Sequence, residues 1–363
     1  MPGSSMGQAF RVTTFGESHG GGLGVVIDGC PPGVVLDVSA IQAALHRRRP
    51  GQSKWTTSRQ EPDEVRCLSG MFEGETLGTP LCFVVDNKDA DPEAYRAWKE
   101  VYRPSHGDYT YEAKYGRRAW AGGGRASARE TVARVIAGDV ARQVLTTLGS
   151  VDVVAWVDRL HEVVARVDVE TVSLEAVEAS ELRCPDEAAS AQMVEAVSAA
   201  MEARDTVGGV ISCVLRGVPA GLGEPVFDKL DASLAAAMMS IPATKGFEVG
   251  SGFGGTRMKG SEHNDRFVEL SEQRAVTQTN RSGGIQAGIS NGMPIVFSVA
   301  FKPVSTLPVA QATVNRSGES TTVDPKGRHD PCVLPRAVPI VEAMANIVLL
   351  DHWLRWRGQV GSN

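Results

Sequence analysis

The spacing of apolar residues along the chain predicts a mixture of helices and strands. Apolar positions that recur every three or four residues are typical of amphipathic helices, whereas short apolar runs between turn residues are typical of strands. The helical pattern covers residues 38–48, 127–148, 186–205, 230–240 and 337–356. The strand pattern covers residues 8–14, 24–28, 81–85, 207–215 and 294–301. Because the two do not alternate as βαβ units, the pattern predicts an α+β fold.

Three segments lack this periodicity and divide the predicted elements. Residues 50–64, 103–124 and 249–292 are polar or rich in glycine, which predicts loops. We find no repeat of fixed period and no linker rich in proline and serine. We therefore expect residues 1–363 to form a single domain.

Charge and composition exclude several classes of function. The formal net charge of -6 argues against general nucleic-acid binding through phosphate neutralisation. No signal peptide is visible, and no stretch approaches the roughly 20 apolar residues that span a bilayer. Six cysteines without a CxxC pair, and the lack of an HExxH spacing, argue against a metal site. We expect a cytoplasmic protein with reduced cysteines, no metal, no nucleic-acid partner and no membrane association.

The first candidate for chemistry is Gly16-Glu17-Ser18-His19-Gly20. It fits the G-x-S-x-G pattern of the nucleophile elbow, which needs a strand before the serine and a helix after it. Here a glycine cluster and a second predicted strand follow, so the hydrolase interpretation fails on context. His19 between glycines is either a turn histidine or a titratable group on closely approached backbone.

Two further segments carry arginines where an anion can bind. Residues 46–54, HRRRPGQSK, place four cations at a predicted helix end, which is either a solvated face or an anion site. Residues 122–131, GGGRASARET, run from a glycine-rich loop into a helix start with Ser127 and Glu130 in capping-box spacing. Free backbone N–H groups and the helix dipole favour phosphate or carboxylate there, although a tight turn with a good cap explains the same residues.

Four more motifs lie in loops or at the ends of elements. Residues 103–111, RPSHGDYTY, gather a histidine, an arginine, an aspartate and two tyrosines in a predicted loop. Residues 250–255, GSGFGG, have the G-x-G-x-x-G form without a convincing strand-then-helix frame. Residues 302–306, KPVST, follow a predicted strand, and residues 328–331, RHDP, precede the last predicted helix.

Taken together, these segments resemble the chorismate synthase family, and the resemblance covers nearly the whole chain. The segments that carry it, in chain order, are FRVTTFGESHG at 10–20, RRRPGQSKWTT at 47–57, RPSHGDYTYEAKYG at 103–116, GGGRASARET at 122–131 and RHDPCV at 328–333. The resemblance implies a β-α-β sandwich of antiparallel sheets enclosing helices, assembled as a homotetramer. It also implies an anti-1,4 elimination of phosphate and the C6 proton from 5-enolpyruvylshikimate 3-phosphate, which requires reduced FMN.

The resemblance assigns roles to individual residues. His19 and His106 are implied to be acid groups, one that protonates the flavin and one that assists the departing phosphate. Asp330 is implied to help take the C6 proton. An arginine-rich pocket suits a substrate with a phosphate and two carboxylates. The positions implied for it are Arg48, Arg103, Arg129 and Arg328.

Cofactor positions are also implied, with three departures from the family pattern. The FMN positions are Arg125, Ala126, Ser127, Pro242, Ala243, Ala287, Lys302, Pro303, Val304, Ser305, Thr306 and Arg328. The NADP-associated positions are Arg48 and Lys54. Lys54 replaces an expected arginine, so the charge is kept and the bidentate fork is lost. Pro242 and Ala287 replace asparagine and glycine, and Pro242 has no N–H to donate.

Three interpretations remain at this point: the lyase, a serine hydrolase that uses Ser18, and a flavoprotein without catalysis. The lyase interpretation accounts for all five segments. The sequence shows no extra segment of the kind that would suggest intrinsic flavin reduction with NADPH. We therefore expect dependence on a separate flavin reductase, with NADPH acting only indirectly.

Overall fold

One face of the molecule is an antiparallel sheet built from the N-terminal part of the chain. The computed structural model describes residues 3–51, 55, 61–270, 275–324 and 330–361. The strands of this first sheet, in spatial order, are Ser5–Met6, Arg11–Gly16, Gly22–Asp28, Leu81–Asp86 and Val65–Ser69. Leu81, Phe83 and Val85 are fully buried and alternate with more exposed neighbours. The sheet therefore turns one face towards the core.

A second antiparallel sheet closes the opposite side. Its strands, in spatial order, are Thr244–Val249, Ile295–Phe301, Gly209–Arg216, Asp152–Leu160 and Val163–Val164. Ile295, Phe297 and Val299 alternate in the same way as the residues of the first sheet, and their side chains are buried. The second sheet likewise has one face in the core.

Helices fill the space between the sheets. Thr131–Leu148 packs on the first sheet, Leu334–Val360 packs on Asp152–Leu160 and Gly209–Arg216, and the two helices pack on each other. A Cβ on Gly138 would lie 2.3 Å from the Cβ of Ala343, so glycine permits this close approach. The helices Val38–Arg48 and Leu230–Met239 flank the pair. The predicted α+β class and the β-α-β sandwich are confirmed.

The remaining elements lie around these layers and, apart from the 16-residue helix Glu187–Glu202, are short. Helices of this kind are Asp108–Tyr115, Leu174–Glu178, Glu187–Glu202 and Gly260–His263, with 3-10 turns at Glu93–Trp98, Gly124–Ala126, Ala128–Glu130 and Gly252–Arg257. Small strand pairs are Met71–Phe72 with Glu75–Thr76, Phe267–Leu270 with Ala275–Thr277, Ile285–Gln286 with Ile289–Ser290, and Gln311–Val314 with Ser320–Val323.

The helices predicted from periodicity are confirmed, but several elements were not predicted. The strands Val65–Ser69, Asp152–Leu160 and Thr244–Val249 were missed, although the second of these has a neighbouring strand on both sides in its sheet. The helix Asp108–Tyr115 was predicted as a loop, because a mostly polar helix of only two turns shows no clear apolar period. It ends at Gly116, whose φ of 69° is a glycine conformation.

The cap of the helix at residue 131 differs from the predicted capping box. The hydroxyl of Ser127 accepts from the N–H of Arg129 at 3.3 Å, and a 3-10 turn precedes the α-helix. The carboxylate of Glu130 pairs with Arg134 one turn further along. The helix therefore begins at Thr131, and the capping box was wrong in detail.

The prediction that no segment is apolar enough to span a bilayer was wrong for one helix. Leu334–Val360 is long and apolar enough by length and composition, but 94% of its most apolar window is buried inside the fold. Because this helix packs against both another helix and a sheet, its apolar surface faces protein on several sides.

Candidate active site

A run of three glycines brings the two predicted catalytic histidines together. Gly122, Gly123 and Gly124 have φ of 62°, 80° and 55°, which is the left-handed region. A Cβ on Gly122 would lie 1.9 Å from Nδ1 of His19, and one on Gly123 would lie 3.2 Å from Cε1 of His106. Neighbouring Cα atoms are about 3.8 Å apart. Both imidazoles therefore lie against one short stretch of backbone.

The loop that carries His19 does not form a nucleophile elbow. Ser18 is fully buried, and its Oγ lies 2.7 Å from Nδ1 of His19 and donates to the carbonyl of Gly122 at 3.1 Å. A turn and then the strand Gly22–Asp28 follow the serine, where an elbow needs a helix. Tyr95 packs edge-on against the His19 ring, with the ring centroids 4.9 Å apart. The surroundings of Ser18 thus orient His19 and do not expose a hydroxyl.

His106 belongs to a compact group centred on a buried carboxylate. Asp108 accepts from Nε and Nη2 of Arg103, each at 2.8 Å, in a bidentate pair. Nδ1 of His106 lies 3.2 Å from Oδ1 of Asp108 and 3.0 Å from Nη2 of Arg103. Nη1 of Arg118 lies 2.8 Å from the same carboxylate oxygen. The Arg103 guanidinium also stacks over the ring of Trp98, 5.6 Å from its centroid.

Charge keeps the Asp108 carboxylate ionised despite its burial. Burial alone would raise the pKa of Asp108. Hydrogen bonds and charges from Arg103 and His106 outweigh burial and hold that pKa well below its usual range. Asp108 is therefore a permanent anion beside His106.

A second buried carboxylate, Asp63, joins two of the predicted substrate arginines. Nη2 of Arg48 donates to Oδ2 of Asp63 at 2.7 Å, and Nη1 of Arg129 donates to Oδ1 at 2.7 Å. All three side chains are almost fully buried. Asp63 has a φ of 49°, an unusual backbone conformation that aspartate tolerates better than most residues. The resulting cluster contains two cations and one anion among these three residues.

The protonation of this cluster follows from burial and from its charges. Burial raises the pKa of Asp63, but Arg48 and Arg129 outweigh it and lower that pKa below its usual value. Burial, helped by the cations Arg336 and Arg129, lowers the pKa of Arg48 to about 10 against the pull of Asp63. Nε of Arg48 is a buried donor with no hydrogen-bond partner in the described part of the chain, and Nη2 of Arg129, which makes no hydrogen bond there either, lies 3.4 Å from Oε2 of Glu61. Such donors are suited to an incoming anion.

Two bridging residues connect this cluster to the other predicted catalytic groups. Arg336 donates from Nη1 to Oδ2 of Asp330 at 2.6 Å and from Nε to the carbonyl of Arg48 at 3.2 Å. Asn87 accepts from Nε of Arg129 at 2.6 Å. The same amide donates to two carbonyls of the loop around His19, each at 2.8 Å. A continuous set of contacts therefore runs from Asp330 to His19.

Several predicted flavin positions line a cavity of about 590 Å³. Arg125, Ala126 and Pro242 lie in its wall beside Gly123 of the triglycine loop. The Arg125 guanidinium is held by the hydroxyl of Thr14 at 2.6 Å. A cavity of this size suits a cofactor or small-molecule ligand.

The segment Lys302–Thr306 lies beside the His106 loop. The hydroxyl of Ser305 donates to the carbonyl of Ser105 at 3.0 Å and contacts Nζ of Lys302. The N–H of Lys302 donates to the carbonyl of Ala243 at 2.9 Å. Burial and the charge of Lys245 lower the pKa of Lys302 from its usual value. An ammonium and hydroxyls at this place suit a phosphate group.

Comparison with known proteins gives one consistent result. The sequence model of the chorismate synthase family matches residues 10–354. Chorismate synthase of Synechococcus sp. (strain WH7803) is 59% identical over 357 residues, which cover 98% of this chain and 99% of that protein. The enzyme of Thermosynechococcus vestitus is 57% identical over 361 residues, 99% of each chain. A crystal structure of chorismate synthase superposes with a TM-score of 0.76 at 29% identity, covering 96% of this chain and 93% of the other.

The chain belongs to the chorismate synthase family. The identity to the relatives runs over almost the full length of the chain, so the predicted family is confirmed. Each segment that carried the resemblance in the sequence lies within the chorismate synthase match, from Phe10 to Val333.

Three positions predicted from the sequence are not among the contacts described above. Lys54 and Arg328 lie outside the described residues. Ala287, with a φ of 52°, sits in the tight turn between Ile285–Gln286 and Ile289–Ser290. The neighbouring Gly288 contacts Leu230 through its carbonyl and lies against Lys229. This turn therefore lies by the helix at residue 230.

Sequence reasoning missed the residues that hold the candidate site together. Asp108 lies in the segment 103–116, two residues after His106, but the resemblance assigned it no role. Asp63, Asn87 and Arg336 belong to no recognised motif. The sequence indicates them only indirectly: a buried guanidinium needs a carboxylate or carbonyl partner, so partners must exist, but the sequence does not tell which residues they are.

Proposed function

We propose that the chain catalyses the anti-1,4 elimination of phosphate from 5-enolpyruvylshikimate 3-phosphate to give chorismate. The C3–O bond to phosphate and the C6–H bond break, and a second ring double bond forms. The observation that carries the proposal is the contact of consecutive glycines, Gly122 and Gly123, with His19 and His106. Two imidazoles packed against one loop suit proton transfers near neutral pH.

In this proposal the buried arginines bind the anionic groups of the substrate. Nε of Arg48 lacks a hydrogen-bond partner in the described residues, Nη2 of Arg129 has only a 3.4 Å ion pair with Glu61, and Arg103 lies beside His106. Arg328 completes the set by its position in the sequence. A substrate with one phosphate and two carboxylates fits such a pocket because guanidinium donors match those groups.

We assign the proton transfers to three side chains. His19 and His106 act as acids, one towards the flavin and one towards the departing phosphate. Asp330 takes up the C6 proton, and Arg336 holds its carboxylate in place at 2.6 Å. The anti geometry needs the acid and the base on opposite faces of the substrate ring.

The residues present fit a reduced FMN cofactor. Arg125, Ala126, Ser127, Pro242 and Ala243 flank the cavity or its wall, and the Lys302–Thr306 segment offers an ammonium and hydroxyls for the FMN phosphate. When bound, reduced FMN supplies electron density to the reacting ring without net redox change. Ala287 is retained as an FMN position by family resemblance alone.

We further propose a single-domain cytoplasmic protein that assembles as a homotetramer. One continuous hydrophobic core that includes residues of both sheets and of the helices between them supports the single domain, 1–363. We expect NADPH to act only through a separate flavin reductase, although Arg48 and Lys54 occupy the family's NADP-associated positions.

The decisive experiment is anaerobic phosphate release from 5-enolpyruvylshikimate 3-phosphate with chemically reduced FMN, with oxidised FMN, and without FMN. We expect release and chorismate absorbance only with reduced FMN. Oxidised FMN plus NADPH should give no turnover unless a flavin reductase is added. Binding of FMN without release under any reducing condition would favour a flavoprotein without this catalysis.

A further inference from the structure

We propose that Asp108 is a positioning residue for His106, which holds the imidazole with its proton on Nδ1 so that Nε2 is the atom that transfers protons. The inference rests on the function proposed above and adds to it a residue to which the sequence assigned no role. The two edges of the His106 ring face different surroundings.

The Nδ1 edge of the ring faces Asp108 and the opposite edge faces the triglycine loop. Nδ1 lies 3.2 Å from Oδ1 of Asp108. A Cβ on Gly123 would lie 3.2 Å from Cε1 and 3.8 Å from Nε2 of the same ring. The protein thus provides a polar partner on the first side and a glycine backbone on the second.

The Asp108 carboxylate is held rigidly by several donors. Arg103 contributes its backbone N–H at 3.1 Å and two side-chain N–H groups at 2.8 Å. Arg118 adds Nη1 at 2.8 Å, and its Nη2 donates to the carbonyls of Trp98, Lys99 and Val101. Because Asp108 is also 3% exposed, it has a fixed position from which to orient a neighbour.

Arg103 competes with Asp108 for the same ring nitrogen. Its Nη2 lies 3.0 Å from Nδ1 of His106 and 2.8 Å from Oδ1 of Asp108. If Arg103 donates to Nδ1, the neutral ring must carry its proton on Nε2, which is the opposite tautomer.

Arg103 is slightly nearer to Nδ1 than Asp108 is, at 3.0 Å against 3.2 Å, but the directions of its hydrogens and the charge of the carboxylate favour Asp108 as the partner of Nδ1–H. The three atoms form a nearly equilateral triangle, so from Nη2 the two acceptors stand roughly 60° apart, whereas the two hydrogens of a planar Nη2 stand about 120° apart. Arg103 therefore cannot point one hydrogen straight at each partner. Its bidentate pair with Asp108 fixes one of these hydrogens, and the ionised oxygen is the stronger partner for Nδ1–H.

The proton balance is simple. Arg103 and Asp108 contact the ring from its own segment, Arg118 contacts Asp108, and Lys302 approaches through Ser305 and Ser105. The imidazolium releases the proton from Nε2 to its acceptor. Nδ1 keeps its own proton, which stays hydrogen-bonded to Asp108. Water then returns a proton to Nε2, so no further reactant is needed. The arrangement is that of an Asp–His pair in which the carboxylate orients the imidazole.

The first test is nuclear magnetic resonance of the unmutated protein labelled with ¹⁵N-histidine. Ring signals of His106 are assigned by their loss in the His106→Ala variant. We expect the neutral ring to carry its proton on Nδ1. A neutral ring protonated on Nε2 would mean that Arg103 is the partner and would overturn the proposal, and this result needs neither substrate nor FMN.

The second test is Asp108→Asn, with Asp139→Asn as the matched control. Asp139 is another buried aspartate paired with an arginine, Arg142, on the helix Thr131–Leu148. We expect kcat of Asp108→Asn to fall by roughly 10²-fold or more, the effect of losing a well-placed acid. The control should keep the turnover of the unmutated protein.

The split between kcat and KM separates positioning of His106 from simple support of Arg103. If Asp108 only held Arg103 for the substrate, KM would rise while kcat stayed constant, and the inference would be wrong. Absence of turnover in the unmutated protein would count against the proposed function, and the tautomer measurement would still decide the role of Asp108.

Discussion

Two buried aspartates organise this site in different ways. Asp108 gathers Arg103, His106 and Arg118, which all lie within one short segment of the chain. Asp63 instead joins Arg48 to Arg129, which come from two different helical regions. The comparison shows that a local cluster can fix a histidine with residues close in sequence, whereas a long-range cluster ties distant elements of the fold together.

Loss of the reacting group beside Asp108 should have the largest effect. We expect His106→Ala to lower kcat by about 10²–10⁴-fold while FMN binding persists, because general acids contribute factors of this size. Steady-state turnover and FMN titration measure the two quantities. His161→Asn is the control, since His161 is exposed with a φ of 52° that asparagine tolerates. Full activity of His106→Ala would remove this group from the mechanism.

Loss of the Asp63 carboxylate should mainly affect the stability of the fold. Asp63→Asn leaves Arg48 buried without its anion and Arg129 with only the longer pair to Glu61, and we expect the free energy of unfolding to fall by about 3–5 kcal/mol. Urea unfolding measures the change. The control is Asp86→Asn, which breaks an exposed pair with Arg66 and should cost about 0–1 kcal/mol. Equal effects of the two variants would contradict the long-range role of Asp63.

Substitutions in the triglycine loop test whether the histidine rings need the space that the absence of a glycine side chain leaves. Gly122→Ala adds a Cβ that would lie 1.9 Å from Nδ1 of His19, so the ring must move, and we expect kcat to drop by roughly tenfold or more. Gly33→Ala has a similar φ of 73° and nothing within 4 Å of its Cβ. It should cost only the backbone strain of about 1–2 kcal/mol and leave turnover intact. Kinetic and unfolding measurements on both variants make the comparison.

The smallest expected effect is the pH dependence of stability. Folding lowers the pKa of both Asp63 and Asp108 below their usual value of 3.8. Their stabilising contribution is therefore complete above that value and is lost as the pH falls below it. Unfolding monitored from pH 6 downwards should show this loss, and Asp63→Asn should flatten it. An unchanged slope in the variant would mean that other carboxylates dominate.

Much of the fold followed from local patterns. Helical periodicity placed the helices that fill the centre of the sandwich, because a buried helix must repeat its apolar face every three to four residues. The strand Asp152–Leu160 escaped because it is buried along much of its length and lacks a clear alternation. The helix Asp108–Tyr115 escaped because two turns carry too few apolar residues for a period.

The sequence by itself determined which chemistry-bearing residues are present: the two histidines, the arginines and the run of glycines at 122–124. It also determined the family, since five segments in one order are far more specific than any single motif. Only the tertiary structure decided that Gly122 and Gly123 contact both histidines and that Asp63, Asn87 and Arg336 join distant segments. The physical reason is that a buried charge must have a partner, but any of many carboxylates along the chain satisfies that need until packing selects one.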